Sequence, residues 1–329
     1  MPRILVTTTV IKHQPGPYLD ILKSAGFDVA YPTAALSESI PNPTVLLGQL
    51  AGVSAVLAGS EIYNRDVLAK AGLRVIARMG VGYDAIDVSA ASEFGTLVTI
   101  APGTNQHSVA EQTLALLLGV FRGFPGRDRE VRDGVWKRKA LPRLAGRTLG
   151  LVGLGRIGQA VVSRAIGLEL TVIAYDPFPN RLFAQQHGVR LVTLDELLTT
   201  ADIVSLHLPC TAETTDLIDA RALAKMKPGS VLINTARGGL VDERALADAL
   251  ASGHLMAAGL DTFKTEPLPV DSPLLKRHNV LLAPHMGGLD LDSQRDMSSK
   301  AAQCIADLYQ GRWPEECVVN SQLRQGWKW

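Results

Sequence analysis

Residues 148–158 read Thr-Leu-Gly-Leu-Val-Gly-Leu-Gly-Arg-Ile-Gly, and a helical pattern follows over 156–168. A strand-like apolar run therefore leads into a GxGxxG turn and then into a helix. Gly153 permits the tight turn, Gly155 lets the backbone approach a pyrophosphate, and Gly158 lets helix and strand pack closely. The helix that opens with Arg156 and Ile157 offers free N–H groups to that pyrophosphate. The motif alone is weakly specific, but its position between a strand and a helix predicts a dinucleotide site.

Asp176 ends the next predicted strand, 18 residues beyond Gly158. A carboxylate at this point accepts hydrogen bonds from ribose hydroxyls and repels a 2′-phosphate, which favours NAD over NADP. Arg181 is the one nearby residue able to soften this preference. A methyltransferase also combines a glycine-rich first turn with an acidic residue, so this alternative stays open until the catalytic residues are considered.

Short β-branched runs alternate with helical patterns along the whole chain. In the N-terminal part we predict strands at Ile4–Thr7, Asp28–Tyr31, Ala55–Ala58, Arg74–Ala77 and Leu97–Ile100, with helices at Pro17–Ser24, Thr44–Leu50, Arg65–Ala71 and Val88–Phe94. A second series has strands at Thr148–Val152, Thr171–Tyr175, Ile203–His207, Ser230–Asn234, Ala257–Leu260 and Val280–Ala283, with helices at Arg156–Leu168, Leu194–Thr199, Glu243–Ala251 and neighbouring pieces. Such alternation indicates parallel sheets covered on both faces.

Two long helical patterns divide the chain. Asn105–Phe121 lies between the two series, and Asp290–Gln310 follows the last strand. The N-terminal sheet lacks another obvious cover, so we expect the second long helix to return to it. The sequence thus predicts an α/β protein with two doubly wound parallel-sheet domains. These are a discontinuous flavodoxin-like substrate domain, 1–103 with 290–329, and a Rossmann cofactor domain, 104–289.

Composition excludes several other classes. The 329 residues carry a formal net charge of +1, so no basic excess indicates binding to nucleic acid or to an anionic membrane. Leu114–Val120 and similar apolar runs are far shorter than the roughly 20 residues that span a bilayer. Three scattered cysteines and the lack of a leader pattern favour a cytoplasmic protein. His187, His254 and His278 lack paired carboxylates, so no metal site is predicted.

Three loops after later strands of the second series each bring one ionisable residue: Arg237, Glu266 and His285. Loops at the carboxyl ends of parallel strands line the ligand site of such sheets. An arginine suits the carboxylate of a 2-keto acid and polarises its carbonyl. A histidine can give the carbonyl oxygen a proton as hydride reaches C2, and a carboxylate would stabilise its imidazolium form. We therefore predict that Arg237, Glu266 and His285 form a catalytic trio.

The quoted glycine turn, the segment Asn-Thr-Ala-Arg-Gly-Gly-Leu-Val-Asp at 234–242 and Pro-His-Met-Gly-Gly at 284–288 resemble the D-isomer-specific 2-hydroxyacid dehydrogenase family. That family includes 3-phosphoglycerate, glyoxylate/hydroxypyruvate and formate dehydrogenases. The likeness runs from the first strand to Asn320, and the ordered set of motifs is highly specific. In the family the arginine, glutamate and histidine of these motifs are catalytic, which implies the same of Arg237, Glu266 and His285.

The resemblance also implies binding residues. Gly80–Asp87 looks like the loop that receives the substrate carboxylate on backbone N–H groups, here those of Val81 and Gly82. The implied cofactor contacts beyond the glycine turn and Asp176 are His207, Pro209, Thr235, Ala236, Asp261 and Gly288. The cofactor implied is NAD.

The substrate remains open between alternatives. Similar enzymes that act on 3-phosphoglycerate carry an arginine where this chain has Arg78, so a 3-phosphoglycerate dehydrogenase-like activity is the first expectation. They often carry another basic residue on the preceding strand end, where this chain has Leu57–Ser60, so a glyoxylate/hydroxypyruvate reductase is the competing one. An alternative of another class is an NAD-sensing corepressor-like binding protein, which the intact trio disfavours.

The resemblance further implies a homodimer, because helices near Trp136 exchange between subunits in the family. The C-terminal residues Gln-Gly-Trp-Lys-Trp, 325–329, carry two tryptophans, and a folded protein rarely leaves two such side chains wholly in water. The sequence leaves two alternatives open: a disordered tail, or a tail that packs on the cleft between the predicted domains or on the partner subunit.

Overall fold

The computed structural model describes residues 1–33 and 43–329. The chain divides into two compact units, residues 1–105 with 288–329, and residues 106–287. Each unit has its own parallel sheet. The predicted α/β class with two parallel-sheet domains is therefore confirmed.

The first unit contains a five-stranded sheet with helices between its strands. Its elements are β1 (Arg3–Val6), α1 (Pro17–Ser24), β2 (Asp28–Ala30), α2 (Pro43–Gln49), β3 (Ala55–Ala58), α3 (Arg65–Ala71), β4 (Val75–Arg78), α4 (Val88–Glu93), β5 (Leu97–Thr99) and α12 (Leu291–Tyr309). The strand order is β2-β1-β3-β4-β5, and every pair is parallel. Alternate residues of the strands face two separate cores, with Ile4 and Leu57 on one side and Leu5 and Val56 on the other.

The second unit contains a seven-stranded sheet. Its elements are α5 (Gln106–Arg122), α6 (Phe124–Arg132), β6 (Thr148–Val152), α7 (Arg156–Gly167), β7 (Thr171–Tyr175), α8 (Arg181–Gln186), β8 (Arg190–Leu191), α9 (Leu194–Thr200), β9 (Ile203–Leu206), α10 (Ala220–Lys225), β10 (Ser230–Asn234), α11 (Glu243–Ala251), β11 (Leu255–Leu260) and β12 (Val280–Leu282). The order β12-β11-β10-β9-β6-β7-β8 reverses direction at β6, where the glycine turn begins. A parallel sheet binds ligands at such a switch point, outside the carboxyl ends of its strands.

Four elements of the second unit were not individually predicted, namely β8, α6, α8 and α10. The sheet has seven strands instead of six, because the two-residue strand β8 pairs with the edge of β7. A strand of two residues is too short to show the alternation of apolar and polar residues by which a strand is predicted. Helix α6 was also not predicted, since none of its residues is buried and its sequence therefore shows no apolar stripe.

The C-terminal segment belongs to the first unit. Helix α12 packs on α1 and contributes Met297, Ala301 and Ile305 to the core beneath the sheet. Beyond it, the Asn320 side chain accepts the Val98 N–H at 2.9 Å and donates to the Thr96 carbonyl at 2.9 Å, so it joins the edge of β5 like a short strand.

The tail fits neither alternative, because it packs on its own unit. Trp329 lies against Phe27 and Tyr309, and the Trp327 indole donates to the Gly95 carbonyl at 3.1 Å. The two rings cover apolar surface left by α1 and α12, which explains their presence at a chain end.

No helix within residues 1–33 and 43–329 combines the length and the apolar character needed to cross a bilayer.

Candidate active site

The glycine turn after β6 is held by close backbone contacts. A Cβ atom at Gly158 would lie 2.4 Å from the Gly153 carbonyl oxygen, and one at Gly153 would lie 2.6 Å from the His207 carbonyl oxygen. Gly153 also has φ 109°, which side chains rarely adopt. Gly155 faces open space, since a Cβ there would have no heavy atom of the described chain within 4 Å. The turn is thus tight at two glycines and accessible at the third.

The N-terminus of α7 meets the requirements of a pyrophosphate. Gly155 is its N-cap residue, so no side chain caps its first N–H groups. Gly155 and Arg156 are exposed. Unsatisfied N–H groups and the positive end of the helix dipole attract a phosphate anion. The residues present therefore fit the phosphates of a dinucleotide.

Asp176 lies beside this turn. One of its carboxylate oxygens accepts the Leu154 N–H at 2.7 Å, and the other accepts the Phe178 N–H at 2.7 Å. These two bonds fix the carboxylate at the end of β7, next to the glycines. A carboxylate accepts more than two hydrogen bonds, so ribose hydroxyls can still be bound.

His207 and Pro209 follow β9, the neighbour of β6. The His207 ring bonds through Nε2 to the Ser205 hydroxyl at 2.9 Å, and its backbone carbonyl packs against Gly153. Burial lowers the pKa of His207 to about 4, so the ring is neutral near pH 7. The structure thus brings this loop to the glycine turn.

The loop that carries Arg237 is shaped by Asn234 at the end of β10. The Asn234 side chain accepts the Ala236 N–H at 3.0 Å and donates to the Arg237 carbonyl at 2.8 Å. Gly238 packs so closely on the next loop that a Cβ there would lie 1.9 Å from the Phe263 carbonyl carbon. The Arg237 loop therefore rests directly on the loop that carries Glu266.

Asp261 joins this second loop to the third. Its buried carboxylate accepts the Met286 N–H at 3.0 Å, the Gly287 N–H at 2.7 Å and the Gln112 side-chain amide at 3.2 Å. Its carbonyl accepts the His285 N–H at 2.8 Å. Asp261 thus positions the His285 segment. Gln112, on α5, was missed by the sequence analysis because no motif marks it.

Glu266 and His285 form a direct pair. Glu266 Oε2 lies 2.7 Å from His285 Nδ1, and Oε1 accepts the Phe263 N–H at 2.9 Å. Burial opposes ionisation of Glu266, but the His285 hydrogen bond and charge, the Phe263 N–H and the Arg237 charge together lower its pKa below the ordinary value. His285 adopts φ 52°, and 48% of its side chain is exposed. The structure therefore brings Arg237, Glu266 and His285 into one electrostatic group.

The remaining predicted contacts are placed as follows. Thr235 is buried, and its hydroxyl lies 2.9 Å from that of Thr113 on α5. Gly288 falls in the first unit, where a Cβ would lie 3.0 Å from the Asn105 side-chain amide.

Arg78, Val81 and Gly82 belong to the first unit, at the carboxyl end of β4. The Arg78 guanidinium reaches the Ala58 carbonyl at 3.4 Å, and its carbon lies 3.8 Å from a Cβ position on Gly80. The Gly80 carbonyl accepts the Ala101 N–H at 2.8 Å, which anchors the start of the loop. The loop thus places backbone N–H groups and one cation at the same end of the first sheet.

The trio has the parts of a general acid–base site. An imidazole bonded through one nitrogen to a carboxylate keeps its second nitrogen for a substrate, and a nearby cation can hold a substrate anion. The uncapped glycine turn and this acid–base pair thus lie in loops of one sheet, as a Rossmann-type dinucleotide site requires.

The comparisons with known proteins specify the class further. Residues 114–287 match the family model described as "D-isomer specific 2-hydroxyacid dehydrogenase, NAD binding domain". The chain belongs to the D-isomer specific 2-hydroxyacid dehydrogenase family, and this part of it is the family's NAD-binding domain. The resemblance noted from the motifs is confirmed.

Three relatives illustrate the range. A D-3-phosphoglycerate dehydrogenase of Mycobacterium bovis is 44% identical over 84% of this chain and 53% of its own length. A glyoxylate reductase of Korarchaeum cryptofilum is 41% identical over 76% of this chain and 77% of its own length. The crystal structure of the TT0316 protein from Thermus thermophilus superposes with a TM-score of 0.86 at 38% identity, covering 96% of this chain and 100% of that one. The chain spans about half the length of the phosphoglycerate dehydrogenases that it matches.

Proposed function

We propose that this protein is an NAD-dependent dehydrogenase that transfers a hydride between NAD(H) and C2 of a small D-2-hydroxy acid or 2-keto acid. The observation that carries the proposal is the 2.7 Å contact between His285 Nδ1 and Glu266 Oε2, with the charge of Arg237 acting on the same carboxylate. The nicotinamide supplies or accepts the hydride when NAD is bound. The chain itself must move the accompanying proton and hold the substrate.

Each member of the trio has a separate role in this proposal. His285 gives a proton from Nε2 to the carbonyl oxygen in reduction and removes it in oxidation. Glu266 holds Nδ1 and stabilises the imidazolium. Arg237 binds the substrate carboxylate and polarises the carbonyl.

In the first unit, the N–H groups of Val81 and Gly82 offer a second anchor for the substrate carboxylate. The cofactor contacts proposed are Gly153, Gly155, Arg156, Ile157, Gly158, Asp176, His207, Pro209, Thr235, Ala236, Asp261 and Gly288. Asp176, placed at the end of β7 by two N–H groups, supports a preference for NAD.

A 3-phosphoglycerate dehydrogenase-like activity is our first candidate. Arg78 supports it, because a guanidinium at the end of β4 can bind a second anionic group on the substrate. A glyoxylate or hydroxypyruvate reductase is the second candidate, because Leu57–Ser60 offers no further cation and the Korarchaeum relative carries that name.

The decisive experiment measures NADH oxidation at saturating NADH with phosphohydroxypyruvate, hydroxypyruvate, glyoxylate and pyruvate. We expect kcat/KM to fall at least about a hundredfold in His285→Ala and in Arg237→Ala, the usual contribution of a general acid or an oriented charge. His278→Ala and Arg244→Ala, on exposed residues of the same unit, are the matched controls. Equal turnover in the trio variants and the controls would reject the site, and no turnover with any of the four acids would reject the substrate class.

We also propose that the protein forms a homodimer. Phe124 is 68% exposed and Trp136 80% exposed, and Val131 between them is exposed as well. Large apolar side chains grouped on a surface are typical of a subunit interface.

A cytoplasmic location is proposed from the cysteines. Cys210, Cys304 and Cys317 are free thiols, which a reducing compartment preserves. Fractionation of cells that express the full-length protein tests this, and recovery in a secreted fraction would contradict it.

A further inference from the structure

Three charged residues outside the catalytic trio, Asp216, Glu243 and Lys264, join the loop that carries Arg237 to the loop that carries Glu266. Lys264 stands two residues before Glu266 in the chain. Its Nζ lies 2.5 Å from Asp216 Oδ1, and its backbone N–H donates to Glu243 Oε1 at 2.6 Å. We refer to these three residues as the Lys264 cluster. None of the roles proposed above uses them.

Asp216 is fastened to the segment that follows Arg237. Its backbone N–H donates to the Gly239 carbonyl at 2.8 Å, and the Ile218 N–H donates to the Leu240 carbonyl at 2.9 Å. Asp216 adopts φ 52°, a left-handed conformation that Asp and Asn tolerate better than most side chains. A residue in such a conformation is held there by its surroundings. Its carboxylate therefore has a defined position relative to the Arg237 loop.

The Glu266 loop is held at its backbone as well as through its lysine. A Cβ atom at Gly238 would lie 2.3 Å from the Lys264 backbone nitrogen, so the two loops touch at this point. Glu243, the first residue of α11, accepts the N–H of the same nitrogen. The Phe263 N–H in turn donates to Glu266 Oε1 at 2.9 Å. The position of Lys264 is thus passed along a short stretch of backbone to the carboxylate of Glu266.

The ion pair between Asp216 and Lys264 is too exposed to stabilise the fold by much. The side chains of Lys264 and Asp216 are 38% and 42% exposed, and ion pairs in contact with water contribute little to stability. Catalysis is more sensitive, because a misplacement of about 1 Å in a reacting group can lower turnover by about a hundredfold. The pair can therefore affect the reaction rate without determining whether the protein folds.

We propose that Asp216 and Lys264 are positioning residues that fix the separation between Arg237 and the Glu266–His285 pair. Glu243 contributes by holding the Lys264 backbone. The role rests on the proposed function, because it concerns the geometry of the same site. Breaking the ion pair should lower kcat and leave cofactor binding unchanged, since the Lys264 cluster contains no residue of the glycine turn.

The test removes each charge separately in the full chain. Asp216→Asn keeps a residue that tolerates φ 52°, and Lys264→Met keeps a side chain of similar length. With the 2-keto acid that the unmodified protein reduces fastest, we expect kcat to fall about tenfold in each variant at unchanged KM for NADH. The double variant should lose no more than either single variant, because both changes remove one interaction. Lys264→Arg, which keeps a cation beside Asp216, should retain most of the unmodified kcat.

A second ion pair of the same unit provides the matched control. Lys225 Nζ lies 2.8 Å from Asp195 Oδ1, and both side chains are exposed. Lys225→Met and Asp195→Asn should keep the unmodified kcat, and all of these variants should melt like the unmodified protein. Unchanged kcat in Asp216→Asn or in Lys264→Met overturns the proposal. Losses that multiply in the double variant, or that appear equally in the control pair, overturn it as well.

A further measurement does not depend on turnover. Burial raises the pKa of Glu266, but the His285 hydrogen bond and charge, with the Phe263 N–H and the Arg237 charge, hold it below the ordinary value. Removing the Asp216 charge would by electrostatics alone lower this pKa, whereas moving Glu266 away from His285 would raise it. We therefore expect an NMR titration of the Glu266 carboxyl carbon to give a higher pKa in Asp216→Asn than in the unmodified protein.

The titration separates the two proposals. A higher pKa of Glu266 in Asp216→Asn, in a protein that reduces no 2-keto acid, would reject the proposed function and leave the positioning of Glu266 standing. An unchanged or lower pKa would reject the positioning role, whatever the protein reduces.

Discussion

At the scale of single residues, the proposed catalytic trio was predictable because each member lies in a loop after a strand of the second sheet. Strands β10, β11 and β12 are adjacent in the sheet, so their loops emerge at one edge. The sequence could not reveal Asp261 as the residue that joins two of these loops. Its partners are two N–H groups and Gln112, and none of these forms a recognisable pattern.

Glu266→Gln tests the pairing with His285. The amide keeps the shape but loses the charge that stabilises an imidazolium, so we expect kcat to fall about ten- to a hundredfold with little change in KM for the cofactor. Steady-state kinetics measure this. A variant with unchanged kcat would remove Glu266 from the proposed mechanism.

The same variant has a defined effect on stability. A carboxylate with a lowered pKa stabilises the fold above its ordinary pKa, and this contribution is lost as pH falls through the lowered value. Thermal unfolding of Glu266→Gln should therefore show a deficit at pH 7 that disappears in acid. Glu169→Gln, on an exposed glutamate of the same unit, is the control.

At the scale of elements, substitutions at two glycines of the turn should affect different properties, one the stability of the fold and the other the binding of the cofactor. Gly158→Ala places a methyl group 2.4 Å from a backbone oxygen, so it should lower the melting temperature markedly. Gly155→Ala meets only open space within the described chain, at φ −72°, and should melt normally. Its methyl group would occupy the space that a pyrophosphate approaches, so we expect NADH to bind at least about tenfold more weakly. Calorimetry of both variants checks this, and normal NADH affinity in Gly155→Ala would contradict a phosphate site at this turn.

The C-terminal tail is an element of the first unit's core. Deletion of residues 325–329 removes two half-buried indoles, together with the contacts of Trp329 to Phe27 and Tyr309. We expect a loss of about 2 kcal/mol in the free energy of unfolding, seen as a lower melting temperature. Lys328→Ala, on an exposed residue between the tryptophans, should melt like the unmodified chain. A deletion variant with unchanged stability would show that these rings do not support the unit.

At the scale of the whole molecule, the proposed homodimer depends on the exposed apolar side chains of 124–136. Replacing both Phe124 and Trp136 by serine should reduce the mass in light scattering from twice 35.2 kDa to 35.2 kDa. Val270→Ser, on a residue 97% exposed and far along the chain, is the matched control. A monomeric unmodified protein would contradict the homodimer directly, without bearing on the proposed chemistry.

The sequence by itself determined the fold class and the strands around the glycine turn, and it predicted the members of the trio. These are set by local patterns: apolar runs with the period of a strand, glycines where backbone atoms nearly touch, and ionisable residues at strand ends. Only the tertiary structure decided the two-residue edge strand and the packing of the tail on its own unit. Each of these depends on contacts between segments distant in the chain, and such contacts leave no periodicity in the sequence.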